Sequence, residues 1–282
     1  MLAGVPSPVE DRRDMAHLEL RPKPRISSFR KLALGSWAAP YDPTVYGSLT
    51  VRMDRALVYM DAFQRSTGTR LTVTHLVLKA LAVALRRCPD ANAVLRFHRL
   101  YLRERATVAA LMRDAADSRW SPVRVMDADL KGLRDIVAEL EAGPRDVAAS
   151  RGWRWVARIP APLMRGFTRW VSFLAVTLNV DLSRFGLPRD AFGAAIVTDV
   201  GALGLDAAYL PLVPFTRAAV FLVPGAVREV AVVEEGRVVV GKVMSLNASI
   251  DHRFIDGFHA GVLANTLKQL LEDPEAAFGP PG

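Results

Sequence analysis

Between Arg237 and Leu271 the hydrophobic period changes abruptly, and that change constrains the fold more than any other feature of the chain. Val238, Val240, Met244, Leu246, Ala248 and Ile250 share one face of a run interrupted only by Lys242, the period-two pattern of a strand with one buried face. Ile255, Phe258, His259, Val262, Leu263, Thr266, Leu267, Leu270 and Leu271 then recur at helical spacing, and Glu272-Asp273-Pro274 stops the helix. Asp251 to Asp256 therefore spans a strand-to-helix handover, where side chains are held firmly yet can face a cavity. A histidine there (His252), with Asp256 four residues on and Gly257 next, suits a general base carried by a rigid scaffold. The same residues, taken alone, also suit a hydrogen-bonded structural histidine and a helix-capping aspartate.

Three further stretches accompany it. Asp251-His-Arg-Phe-Ile-Asp-Gly257 resembles the D-H-R-x-x-D-G signature of the 2-oxo acid dehydrogenase dihydrolipoyl acyltransferases. Its looser form, H-x-x-x-D-G, is shared with chloramphenicol acetyltransferases and nonribosomal peptide condensation domains. Pro89-Asp-Ala-Asn-Ala93 is similar to the P-x-x-N-A turn of the same acyltransferases. Phe192 to Leu205 resembles their G-x-F-T-I-S-N-L-G strand and turn, with Thr198 at the serine, Asp199 at the asparagine and Gly201 at the glycine. Arg25 to Leu34 resembles their first helix, and by analogy Arg30 would hold Asp256 in a buried ion pair. Read without the analogy, Arg30 is a surface charge.

The resemblance covers roughly residues 25 to 275 and implies an α/β fold (an α+β sandwich) of the chloramphenicol acetyltransferase-like kind. Its parts would be a mixed central sheet flanked by helices, in a trimer-forming chain with the site at a subunit interface. The implied reaction moves an acyl group between acyl-coenzyme A and a thiol, the dihydrolipoyl group, supplied in trans on a separate lipoyl-domain chain. By the same resemblance the catalytic residues are His252 as the base, Thr198 as the oxyanion donor and Asp256, structural rather than catalytic if Arg30 pairs with it, with Arg30, Asp251, Arg253 and Gly257 supporting the site and no metal required. A thiol is mostly protonated near neutral pH, and a close neutral imidazole takes its proton as it attacks. Asp199 departs from the pattern, since an anion beside an oxyanion is unfavourable unless it points away or is paired. Two other classes fit: a non-catalytic trimeric scaffold of such a complex, and an acyltransferase acting on another acceptor at a membrane surface.

The remaining chain sets boundaries. At 282 residues, half of them hydrophobic, it can bury a sizeable core. The net charge of +8 is scattered rather than gathered in an aromatic-interleaved stripe, which argues against nucleic acid. The single cysteine, Cys88, excludes an intramolecular disulfide framework or a cysteine metal cluster. No run of about 18 apolar residues is present and the N-terminus lacks a signal-peptide pattern, so a cytoplasmic protein is expected. Residues 1–24 read as a flexible arm and 25–282 as a bare catalytic domain with no lipoyl or peripheral-subunit-binding module. A strand is expected over Tyr46–Met53 and helices over Arg55–Gln64, from Thr72 or Thr74 to Pro89, and over Asp129–Ala149; His75 reads as a packing or surface residue. A hairpin is expected at Val230–Val240.

Residues 152–190 break the resemblance. Leu163, Met164, Phe167, Trp170, Val171, Leu174 and Leu178 share one helical face, with Arg165, Thr168, Arg169 and Ser172 on the other. Such a helix either packs on its own domain or a neighbouring subunit, or lies in a membrane interface.

Overall fold

The computed structural model describes residues 43–97, 99–113, 120–143, 160–183 and 190–282. The expected arm, the helix carrying Arg30, and Gly152 to Arg189 apart from residues 160–183 lie outside the described residues.

Strand β1 (Thr44–Arg52) leads into α1 (Asp54–Thr67), which ends where Gly68 adopts φ 69°. Helix α2 (Val73–Arg87) starts at the expected Thr72, but its cap is a pair. The Thr72 N–H donates to His75 Nδ1 at 3.0 Å, and the Thr72 hydroxyl lies 2.9 Å from the same nitrogen. His75 is buried, and burial pushes its imidazole down to about 4, the neutral form that an accepting nitrogen requires. A 3₁₀ turn (Pro89–Asn92) follows, then the hairpin β2 (Ala93–Arg96) and β3 (Arg99–Leu102), and strands β4 (Val108–Arg113) and β5 (Trp120–Val125).

The helix expected from Asp129 begins later, as α3 (Leu133–Glu141). Asp127 turns the chain at φ 52°, and the buried Lys79 ammonium donates to the carbonyls of Ala128, Asp129 and Lys131. Those carbonyls are thereby held in a turn, and Leu130, expected in the core, is 74% exposed. Beyond lie α4 (Ala161–Ser172), running into a π turn (Phe173–Thr177), then β6 (Ala195–Val197). The chain closes with β7 (Val220–Glu234), β8 (Arg237–Asp251), α5 (Gly257–Glu272) and α6 (Pro274–Phe278).

Six strands form one mixed sheet in the order β1-β8-β7-β6-β4-β5. β6 runs parallel to both β4 and β7, while β8 is antiparallel to β1 and β7. Helices α2 and α5 pack together over the sheet, and Leu76, Leu81, Leu85, Met244, Leu246, Leu267 and Leu271 meet in the core. Each such buried side chain contributes about 1.5–3 kcal/mol relative to exposure.

The hairpin is confirmed, with Glu235 and Gly236 both at positive φ in a two-residue turn whose twist matches the strands. Its outer half departs from the one-buried-face expectation: Val238 and Val240 are 73% and 75% exposed. The cause is geometric, because β1 ends opposite Val243 and β7 and β8 continue beyond it as a two-stranded ribbon. The amphipathic face of α4 is likewise uncovered at Leu163 and Trp170, whereas Ser172, expected on the polar face, is buried.

Candidate active site

β8 delivers Asp251 at the end of the sheet, where its N–H donates to the Ala219 carbonyl just before β7. The Asp251 side chain is buried and takes the Arg253 guanidinium as a fork: Nε to Oδ1 at 2.9 Å and a terminal nitrogen to Oδ2 at 2.6 Å. The Arg253 N–H donates to Asp251 Oδ1, and the Phe254 N–H to the Asp251 carbonyl, so the chain turns tightly around His252. The His252 N–H is engaged by the Pro43 carbonyl, while the residue itself is exposed. Phe254 and Ile255 are buried and anchor the far side of the loop.

Asp256 is the N-cap of α5, accepting from the N–H groups of Phe258 and His259 and facing His259 Nδ1 at 2.7 Å. The His259 backbone N–H, and then its ring, hold the Asp256 carboxyl below the usual carboxylate range. The other ring nitrogen of His259 lies 3.1 Å from Asp90 Oδ2, in the Pro89–Asn92 turn. The two motifs far apart in sequence thus meet through His259, which the periodicity placed only on a helical apolar face. Its spacing of three from a capping aspartate was the available signal. Phe258, expected on that buried face, is exposed because it stands beside the cap at the first turn. Gly257 starts α5, and a Cβ there would meet nothing within 4 Å, so no packing inside the chain requires a glycine.

Thr198 follows β6, with its N–H donating to the Leu222 carbonyl. Its hydroxyl oxygen is buried and has no hydrogen-bond partner among the described residues, an uncommon state for a buried polar atom. Asp199 is paired away from it: Oδ2 accepts from the Thr74 hydroxyl at 2.8 Å, and Oδ1 from the Ala202 N–H at 3.0 Å. Both Asp199 oxygens are thus engaged by donors other than Thr198. Gly201 lets this turn lie against β7, since a Cβ there would stand 2.3 Å from the Gly225 carbonyl oxygen.

Thr198 and His252 do not meet within one chain. Val197 pairs with Leu222, so Thr198 is level with Val223 and, across the next strand, with Asn247. His252 lies five residues further on, just past the end of β8, about 16 Å along the strand direction at about 3.3 Å per residue, and two strands across from β6. A cleft of ≈ 510 Å³ lined by Asp54, Arg55, Tyr59, Asp273 and Glu275 includes neither residue. Arg30 lies outside the described residues. Among the described residues, no group of three or more His, Cys, Asp or Glu side chains is placed to hold a metal, and no helix is long and apolar enough to cross a membrane.

Residues 189–279 match the family model of the 2-oxoacid dehydrogenases acyltransferase catalytic domain. The lipoamide acyltransferase component of the branched-chain alpha-keto acid dehydrogenase complex of Bacillus subtilis is 22% identical over 75% of this chain and 42% of its own length. The chain thus spans about two fifths of that relative. A probable dihydrolipoamide acetyltransferase from Listeria monocytogenes shares the fold at TM-score 0.60 and 19% identity, covering 89% of this chain and 94% of its own. The cubic core of a pyruvate dehydrogenase multienzyme complex does so at TM-score 0.59 and 19% identity, covering 98% and 99%. The chain resembles the catalytic domain of the 2-oxo acid dehydrogenase acyltransferases, and its mixed sheet flanked by helices is their fold.

Proposed function

We propose that the chain transfers acyl groups between acyl-coenzyme A and a thiol, and that it does so as a homotrimer or higher assembly. The observation that carries this reading is the buried Thr198 hydroxyl, without a hydrogen-bond partner among the described residues and more than about 16 Å from an exposed His252. A hydroxyl donor and a base that separate within one chain make a working pair when neighbouring copies bring opposite ends of their sheets together.

In that arrangement His252 accepts the proton of the attacking thiol, whose sulfur adds to the thioester carbonyl carbon. The carbonyl oxygen becomes the oxyanion, and Thr198 of a neighbouring copy donates to it. The intermediate collapses by breaking the bond to coenzyme A sulfur, and His252 returns the proton to that thiolate. The fork between Asp251 and Arg253, and the cap formed by Asp256, hold the His252 loop in place through these steps. The names of the relatives support a dihydrolipoyl acceptor, which would arrive on a separate chain, and a partnership with dehydrogenase-complex subunits. A cytoplasmic location goes with this reading. The exposed face of α4 fits contact with a neighbouring subunit.

Of the features that favour the scaffold alternative, Asp199 is weakened, because its carboxylate is engaged by Thr74 and Ala202. The test is acyl-CoA turnover with free dihydrolipoamide, comparing the chain with His252→Ala. Turnover that disappears in the variant supports the reading; turnover that persists refutes His252 as the base.

A further inference from the structure

The cleft of ≈ 510 Å³ opens between α1 and residues 273–281, well away from the His252 loop. His252 precedes α5 and Asp273 follows it, so the 16-residue helix separates the two places by about 24 Å at about 1.5 Å per residue. Val58, Tyr59 and Ala62 of α1 stand on one wall, and Pro274 and Glu275 on the other. The Ser66 hydroxyl donates to the Pro281 carbonyl at 2.8 Å and ties the second wall to the end of α1.

Two groups in this cleft lack the partners that such groups ordinarily have. Tyr59 is 5% exposed, and its hydroxyl has no hydrogen-bond partner among the described residues. A buried tyrosine usually finds one. Burial, and then the charge of Glu275, raise the phenol above its usual range, so it remains a neutral hydroxyl with a lone pair to offer. Glu275 is exposed and pairs with no cation among the described residues. The other charges of the cleft are matched. Asp273 holds Arg55 at 2.8 Å, and Asp54 holds Arg52 at 2.9 Å while also accepting from the Lys242 N–H. What remains is one unbalanced carboxylate beside one unpartnered phenol oxygen.

A single ligand group answers both. An ammonium carries three N–H donors, no acceptor and one positive charge, so it can donate to Glu275 and to the Tyr59 oxygen together. A neutral donor would leave the Glu275 charge unmatched. Val58, Ala62 and Pro274 offer apolar surface to the methylene groups behind such a head. The volume lies within the range of about 300–1,000 Å³ typical of small-molecule sites.

We propose that this cleft is a binding site for an alkylammonium group, supplied by a free aliphatic amine or by a lysine side chain. The site is independent of the acyl-transfer reading, since neither His252 nor Thr198 lines it.

The test is ligand-observed NMR titration of the intact chain with n-butylamine, with Nα-acetyl-lysine methylamide and with 1-butanol, which has the same chain length and no charge. The better amine is expected to bind about 10- to 100-fold more tightly than the alcohol, the range of a charge-assisted hydrogen bond. Glu275→Gln, at an exposed position, should bring that ratio close to one. Tyr59→Phe keeps the ring packed near Phe63 and should weaken amine binding about 3- to 10-fold, with a circular dichroism melt close to wild type. Tighter binding of butylamine assigns the site to a free amine, and tighter binding of the blocked lysine assigns it to a side chain of a partner. Equal binding of amines and alcohol overturns the site, as does amine binding that survives Glu275→Gln unchanged, or the absence of amine binding.

Discussion

Asp251 and Arg253 clasp each other across His252, with two guanidinium nitrogens on the two oxygens of one buried carboxylate. The residue between them is consequently the exposed apex of a closed ring of contacts. Lysine carries the same charge as arginine but cannot form the planar fork. Arg253→Lys is therefore expected to lower kcat/KM by about 10-fold while leaving KM for acyl-CoA nearly unchanged, because the loop loosens and the binding groups remain. Steady-state kinetics of the variant checks this, and a circular dichroism melt close to wild type would separate it from misfolding.

The separation of Thr198 from His252 makes a prediction about mixed assemblies. His252→Ala should cost about 10²–10⁴-fold in turnover and Thr198→Val about 10²–10³-fold. When the two inactive variants are unfolded and refolded together, a site shared between copies regains a wild-type pair in about one quarter of cases. Recovery to about a quarter of wild-type activity is expected. Activity that stays at the level of the separate variants would place both groups of a working site in one copy.

His75 links stability to pH. Its folded-state value, about 4, lies below the ordinary histidine value of 6.5, so between those pH values the unfolded chain binds more protons. Its contribution is fully present above about pH 6.5 and is lost progressively as pH falls to about 4, at up to ~1.4 kcal/mol per pH unit. Urea unfolding at pH 7.5, 6 and 5 should show this fall, and His75→Gln should flatten it.

Lys79 makes a structural counterpart. Lys79→Met removes three donations to buried or half-buried carbonyls, and a loss of about 2–3 kcal/mol is expected, for hydrogen bonds to a charged group. The change should appear as a lower urea midpoint with an unaltered slope.

Much of the framework was legible because periodicity reports burial. The strand over residues 44–52, the helices after Asp54 and Thr72, the closing hairpin and the terminal helix all follow from apolar spacing. The motif residues Asp251, His252, Arg253 and Asp256 sit at the expected handover. What periodicity cannot report is which half of a long strand has neighbours. Val238 and Val240 repeat the pattern of Met244 and Leu246, yet only the latter pair lies beneath a helix. The start of α3 was hidden for another reason, since it is set by an ammonium arriving from a helix about 50 residues earlier in the chain. His259 was not legible because its meaning lies in a partner, Asp90, that no local pattern connects to it.

The ribbon formed by Val227–Glu234 and Arg237–Gly241 has one further consequence, for handling the protein. Each of its strands offers an outer edge of backbone donors and acceptors, flanked by exposed valines at 233, 238 and 240. Such a ribbon presents a template for strand addition. A charge placed on that edge, as in Val238→Lys, should therefore keep the protein in solution longer without disturbing the packing beneath the helices.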